Sequence, residues 1–286
     1  MTQRDYHRPN WMGTAVGVDV GATLAKLSFL SQEATPRFTL IPAHPIDRVA
    51  ELVAQAQPQR IGVTGGGAAS LAQRLGMHCE SVNEFRAWGA GAAALLRTHR
   101  LEAGPRYLLV SLGTGTSILL VENGNVTRVG GTALGGGTLA GLSALLFETR
   151  SFSELTRLAA RGKRQSVDLL VSDIYAAGEL PLPGDLTASN FGKLWRMNES
   201  PPRPAPEDIA QALMGLVGEN VALICGGLAA TCGTRRIVFA GSTLRENGCL
   251  TDVLHQVTKA LRCEPLFLPD GEFAGSLGAL LLAANP

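Results

Sequence analysis

The sequence predicts a two-lobed α/β protein, on three observations. A strand–glycine turn–strand unit occurs twice, at Val16–Leu30 and at Leu108–Val121, and each copy feeds segments with helical apolar spacing. The chain of 286 residues is long enough for one large domain or two moderate lobes with a sizeable core. Its 34 glycines fall in short clusters inside apolar runs, the distribution of sharp turns and ligand-hugging loops. The lobes are expected at 15–105 and 106–286, after a loose N-terminal extension of residues 1–14.

In order along the chain, "TAVGVDVGATLAKLSFL" reads as two strands broken at Gly21, a β-hairpin. "FTLIPAH" reads as a third strand, Ile46 to Gln57 as a helix, and "RIGVTGGG" as a strand running into another glycine turn. "AASLAQRLG" is a short helix ending at Gly76, and "CESVNEFRAWGAGAAALLRTH" a strand end handing over to an alanine-rich helix. The grammar then repeats. "YLLVSLGTGTSILLVENGNVTRVGG" gives strand, glycine turn, strand, an Asn123-Gly124 hairpin turn and a third strand. "GGGTLAGLSALLFE" is a helix opening on three glycines, followed by a less regular, proline-rich segment from Ser151 to Pro206. Glu207 to Ala230 reads as a long helix, "RRIVFAGSTL" as a strand into a glycine turn, and "GEFAGSLGALLLA" as a closing helix.

Composition excludes several classes. At 45% hydrophobic, 17% charged and net charge +1, bulk electrostatics give no reason to expect a nucleic-acid or anionic-membrane partner. Cys79, Cys225, Cys232, Cys249 and Cys263 form no CxxC and read as reduced thiols. The start is polar, unlike a secretory signal, and the longest apolar stretch, around Leu213 to Ala230, is interrupted by Glu219 and Asn220. A cytoplasmic protein is expected. The five histidines have no metal or triad spacing, and no GxSxG, HExxH or GxxxxGK[ST] occurs.

In "DVGATLAK", a tight turn at Gly21, Ala22, Thr23, Leu24 and Ala25 exposes backbone N–H groups able to line a phosphate site. Asp19 is placed to hold Mg²⁺ through water and Lys26 to neutralise phosphate charge; a plain hairpin with an Asp at its turn is the alternative. "GTGTS" has the same logic, with Gly113, Thr114, Gly115 and Thr116. "GGGT" opens a helix whose positive end attracts anions, and close packing alone accounts for one of its glycines but hardly three. Gly241 and Ser242 can let a flat base lie against backbone, or form an ordinary strand-to-helix turn. Glu84, where strand hands over to helix, suits a general base for a substrate hydroxyl, or simply an acid stabilised by the helix dipole. Arg128 is a surface residue on a hairpin or a fork for a carboxylate or phosphoryl group.

"DVGATLAK", "NEF", "SLGTGTS", "RVGG…GGGT", "PLPGDLTASNFG" (181–192) and "FAGSLGALLL" occur in an order that resembles the type II pantothenate kinases, in their short bacterial form, over nearly everything after Ala15. The resemblance implies an actin-like ATPase fold (ribonuclease H-like) with ATP and Mg²⁺ in the cleft between lobes, a homodimer, and phosphorylation of pantothenate at its 4′-hydroxyl. By the same resemblance Glu84 is the catalytic carboxylate and Arg128 the substrate-site arginine. Gly21 to Lys26 form the first phosphate loop and Thr114 lies in the second. Gly136, Gly137, Thr138, Leu139, Ala140 and Ser242 contact nucleotide, and Phe152 offers it an apolar face. Three positions depart from the family's pattern: Ala22 for glycine, Arg86 for an acid two residues after Glu84, and Phe152 for tyrosine. A kinase of a pantetheine-like acceptor and a nucleotide- or coenzyme A-binding sensor without turnover are the other readings.

Overall fold

The structure, a computed structural model, describes residues 15–30, 36–149, 151–176, 178–179, 184–196 and 204–284, with the backbone alone at residue 196. The expected N-terminal extension and the first residues of the 181–192 run lie outside these. Chain order is β1 (Ala15–Val20), β2 (Leu24–Leu30), β3 (Arg37–Pro42), α1 (Ile46–Gln55), β4 (Arg60–Thr64), α2 (Ala68–Leu75), β5 (Glu80–Ser81) and α3 (Glu84–Thr98). Then come β6 (Arg106–Leu112), β7 (Thr116–Glu122), β8 (Asn125–Thr132), α4 (Gly136–Phe147), α5 (Phe152–Ala159), β9 (Leu169–Leu170), β10 (Thr187–Ser189), α6 (Gly192–Arg196) and α7 (Pro206–Thr231). β11 (Arg236–Ala240), α8 (Gly248–Ala260), β12 (Glu264–Phe267) and α9 (Ala274–Ala284) close the chain.

The duplicated hairpin is the organising feature. The first sheet runs β3-β2-β1-β4-β5 and the second β8-β7-β6-β11-β12, so each hairpin sits in the same place in its own sheet. In both, the three hairpin strands are antiparallel and the two added strands parallel. The parallel strands are added by helical crossovers, which parallel pairing requires.

Strand alternation divides the second sheet between two cores. Leu108, Val110, Ile237 and Phe239 face α7, while Tyr107, Leu109, Val238 and Ala240 face a layer made by α3 and α9. That layer also covers the first sheet: α9 packs on β1, β2 and β4, and on α3. The closing helix, assigned from sequence to the second lobe, therefore lies against the first sheet, so strands from residues 15–81 are covered by a helix from the far end of the chain. Glycines set the spacing. A Cβ on Gly278 would stand 2.5 Å from the Ala87 carbonyl carbon, and one on Gly91 2.7 Å from that of Ala274. At residue 28, the buried Ser28 and Ser276 hydroxyls share a 2.7 Å hydrogen bond that pins α9 to β2.

By length and composition α7 is the one described helix able to cross a membrane, but 56% of its apolar window is buried inside the protein. Its Glu219 accepts hydrogen bonds from Arg164 (2.6 Å), Thr187 (2.8 Å) and Asn190 (3.0 Å), tying the β9–β10 ribbon to the helix. Two parts of the chain carry more regular structure than the sequence led us to expect. The proline-rich segment contains α5 and the ribbon, and α8 and β12 occupy 248–260 and 264–267, where the sequence pattern predicts no element.

Candidate active site

The first cavity, about 660 Å³, opens between the two glycine turns. Asp19 is the penultimate residue of β1, directly opposite Lys26 on β2 and beside Thr64 on β4. Its carboxylate is 3.6 Å from Lys26 Nζ, with both side chains nearly buried. Burial raises the Asp19 pKa above the ordinary carboxylate value, and the charge and hydrogen bond of Lys26 offset part of that rise. Gly65, at φ +86°, gives the carboxylate room: a Cβ there would be 2.6 Å from Asp19 Oδ1. The turn itself is closed by a 3.1 Å bond from Gly21 N–H to Leu24 O.

Glu84 is the first residue of α3. Asn83 caps that helix by accepting from the N–H groups of Phe85 and Arg86, both at 3.1 Å, which fixes where the helix starts and delivers Glu84 to the cavity. The Glu84 pKa is raised, first by desolvation, then by the Asp19 charge, against a lowering by Lys26. Arg128 reaches the same cavity from β8. A bulge aims it there: Ile118 pairs with Gly130 and Leu119 with Arg128, leaving Val129 extra. Gly131 makes room for the guanidinium, since a Cβ would lie 2.8 Å from it.

The second turn is stitched to the rest of its lobe. Gly113 O accepts from Gly136 N–H (2.8 Å) and from the Thr243 hydroxyl (2.8 Å), and Thr114 O accepts from Gly137 N–H (2.8 Å). The N–H groups of Gly136 and Gly137, the first two residues of α4, are thus taken up by the loop. All three glycines are explained by close approach, because a Cβ at Gly135, Gly136 or Gly137 would come within 2.8 Å of the loop or of Thr243. Across the cleft, the Thr23 and Thr114 hydroxyls share a 3.0 Å hydrogen bond, so the two turns meet at their tips.

A second cavity of about 380 Å³ adjoins the first; Gly21, Lys26, Gly113, Thr114 and Ser242 line both. It adds Thr23, Gly136 and Gly137, an apolar slot of Leu24, Leu40, Ala140 and Phe152, and the polar Ser153, Thr156, Arg245 and Glu246. Ala22, Gly115, Thr116 and Gly241 line the first. Three expected residues are not brought to either cavity. Ala25 and Leu139 are wholly buried in the cores, and the Thr138 hydroxyl bonds Ala133 O and Gly135 N–H at the start of α4. Residue type had grouped them with their neighbours; strand alternation and helix rotation turn them away. The departures from pattern resolve simply. Ala22 is not in the left-handed region, Arg86 makes no ion pair with Glu84 within the described residues, and Phe152 supplies its apolar face.

Residues 37–282 match the Fumble family. The chain is 35% identical to a type II pantothenate kinase of Bacillus cereus (strain AH820) over 277 residues, 96% of this chain and 99% of that protein. It is 34% identical to the type II pantothenate kinase of Staphylococcus aureus (strain USA300), covering 93% and 98%. The chain belongs to the type II pantothenate kinase family. Solved structures show how widely this fold is shared. Component A of the (R)-2-hydroxyglutaryl-CoA dehydratase of Acidaminococcus fermentans superposes with TM-score 0.62 at 20% identity, over 95% of this chain and 97% of that one. A ROK family glucokinase of Streptomyces griseus, solved with glucose and AMPPNP, gives 0.58 at 12%, over 96% and 100%. The fold is the actin-like ATPase fold, and in this chain the two hairpin turns and the start of α3 line one continuous cleft.

Proposed function

We propose that the protein transfers the γ-phosphoryl group of ATP to the 4′-hydroxyl of pantothenate, the first step of coenzyme A synthesis. One observation carries the reading: a carboxylate with raised proton affinity, Glu84, shares one cavity with Asp19–Lys26, both glycine turns and Arg128. The apolar slot beside Phe152 takes the nucleoside, with Ser242 at the join, and the turns take the phosphates. Glu84 accepts the hydroxyl proton as the acceptor oxygen bonds to phosphorus and the bond to the departing ADP oxygen breaks. Lys26 and the loop N–H groups neutralise the charge carried by the transferring group. Arg128 holds the acceptor's carboxylate as a planar fork.

No group of three or more His, Cys, Asp or Glu gathers among the described residues, which fits Mg²⁺ held by one carboxylate and by phosphate oxygens, not by a full protein cage. Asp19 would hold it, directly or through water, and bound there it would offset phosphate charge. A homodimer in the cytoplasm belongs to the same reading. The test is ADP release with Mg-ATP and either pantothenate or pantetheine, with the product identified by ³¹P NMR. A phosphomonoester of pantothenate supports the proposal; ATP binding with turnover of pantetheine alone moves the acceptor, and turnover of neither refutes it.

A further inference from the structure

Trp88 follows Glu84 by one turn of α3 and lines the first cavity, yet it is only 5% exposed. Its ring belongs to the core between α3 and α9, with Ala92, Leu95 and Leu277. What stands at the site is its polar edge. A Cβ on Gly275 would lie 3.0 Å from Trp88 Nε1 and 2.7 Å from Asp19 Oδ2, so an indole N–H and a carboxylate oxygen flank one glycine.

Each of these atoms lacks what the other side offers. An indole N–H can only donate, and among the described residues Trp88 Nε1 meets no protein acceptor. The side-chain donors sealed away without a partner are the Ser143 and Thr258 hydroxyls, so this N–H is open to the cavity that Trp88 lines. Asp19, when ionised, can only accept, and its Oδ2 has Lys26 Nζ at 3.6 Å with lone pairs to spare. Phenylalanine would fill the core without stranding a donor, and a bare N–H in a nearly buried position is costly. The two atoms stand close enough for one oxygen to span them. An atom that accepts from Nε1 and donates to Oδ2 is a hydroxyl oxygen, of water or of an acceptor molecule. We propose that Trp88 Nε1 and Asp19 Oδ2 form a donor–acceptor pair that holds one such oxygen at the wall of the first cavity, which makes Trp88 a positioning residue for Asp19. Pantothenate carries a second hydroxyl, two carbons from the one phosphorylated, so either source fits. The effect on turnover rests on the kinase reading; the pair itself does not.

The experiment replaces the indole N–H by sulfur and keeps the shape: β-(3-benzothienyl)alanine at residue 88, in a Trp11→Phe, Trp195→Phe background so that no other tryptophan is exchanged. This protein should melt as its tryptophan parent does and lose about tenfold in kcat/KM for pantothenate, the size of one hydrogen bond. A held water predicts that kcat falls alike for pantothenate and its 2′-deoxy analogue, with KM kept. A held acceptor hydroxyl predicts a loss for pantothenate alone, through KM. Unchanged kcat and KM on both acceptors would overturn the proposal. A second readout needs no turnover. In ¹⁵N-indole spectra of the natural protein each tryptophan gives one N–H signal, and that of Trp88 is the one lost in Trp88→Phe. Asp19→Asn should shift that signal and hasten its exchange with solvent, while the other two stay. A Trp88 signal blind to Asp19→Asn, with and without pantothenate, would overturn the pair. A natural protein that phosphorylates neither acceptor overturns the kinase reading, and the indole signal alone then decides this one.

Discussion

Replacing Gly278 by alanine sets two effects of opposite sign against each other. Alanine in a helix interior gains about 1 kcal/mol over glycine. At residue 278, however, the new methyl would stand 2.5 Å from the Ala87 carbonyl carbon and 2.9 Å from its Cα. Ordinary van der Waals contact begins near 3.4 Å and the Ala87 carbonyl oxygen lies nearer still, so more than about 0.9 Å must be found by separating two helix backbones, with no flexible side chain to yield. Forced overpacking of this kind costs about 1–3 kcal/mol, and more when backbone must move. Helix α9 also carries the Ser276 bond to Ser28, which the same shift would strain. Packing should win, for a net loss of about 2 kcal/mol and a fall in Tm of about 4–8 °C. The control is Gly227→Ala on α7, where nothing lies within 4 Å of the added Cβ; it should raise Tm slightly. Thermal melts of the three proteins decide. A Gly278→Ala protein as stable as Gly227→Ala would refute the close packing of α3 on α9.

Glu219→Ala strips Arg164, Thr187 and Asn190 of their shared acceptor and leaves the mostly buried guanidinium with Asp168 alone, 3.7 Å away; melting should show a loss of about 1–3 kcal/mol, and no measurable loss would contradict the pinning role. A general base must be ionised, so kcat/KM for the acceptor should fall as pH drops through the Glu84 pKa. That limb should lie above the ordinary value of 4.5, because burial and the Asp19 charge favour the protonated form. Lys26→Met removes the opposing charge and should move the limb further up in pH, besides slowing turnover; a limb at or below 4.5 in the natural protein would contradict this. Ala22→Gly should change kcat and KM for ATP by less than about twofold, since Ala22 does not occupy a glycine-only conformation.

The hairpins were legible because their signals are local: a strand, a glycine turn, and Asn123-Gly124 with φ positive at both residues. Glu84 and Arg128 were legible as residues but not as neighbours, since the bulge at Val129 that turns Arg128 into the cavity leaves no mark in the sequence. Trp88 went unremarked although its spacing from Glu84 places both on one helix face. Gly65 reads from sequence only as part of a turn, because its contact with Asp19 depends on the parallel pairing of β1 with β4. α8 did carry a readable start, Asn247 capping Leu250 N–H, ahead of Leu250, Val253 and Leu254 on one face. α5 is an eight-residue helix inside a polar, proline-rich stretch, where its neighbours outweigh its own pattern. The destination of α9 is a long-range fact, fixed by glycines at 17, 62, 91 and 278 that matter only once helix and sheet have met.

The most direct test of the account compares the natural protein with Glu84→Gln, in steady-state phosphorylation of pantothenate and in ATP binding by calorimetry. The α3 cap is made by Asn83 and backbone N–H groups, so the amide should leave the fold untouched. The account predicts turnover lowered by about 10²–10⁴-fold with ATP affinity unchanged; Glu84→Gln turning over pantothenate at near the natural rate would contradict it.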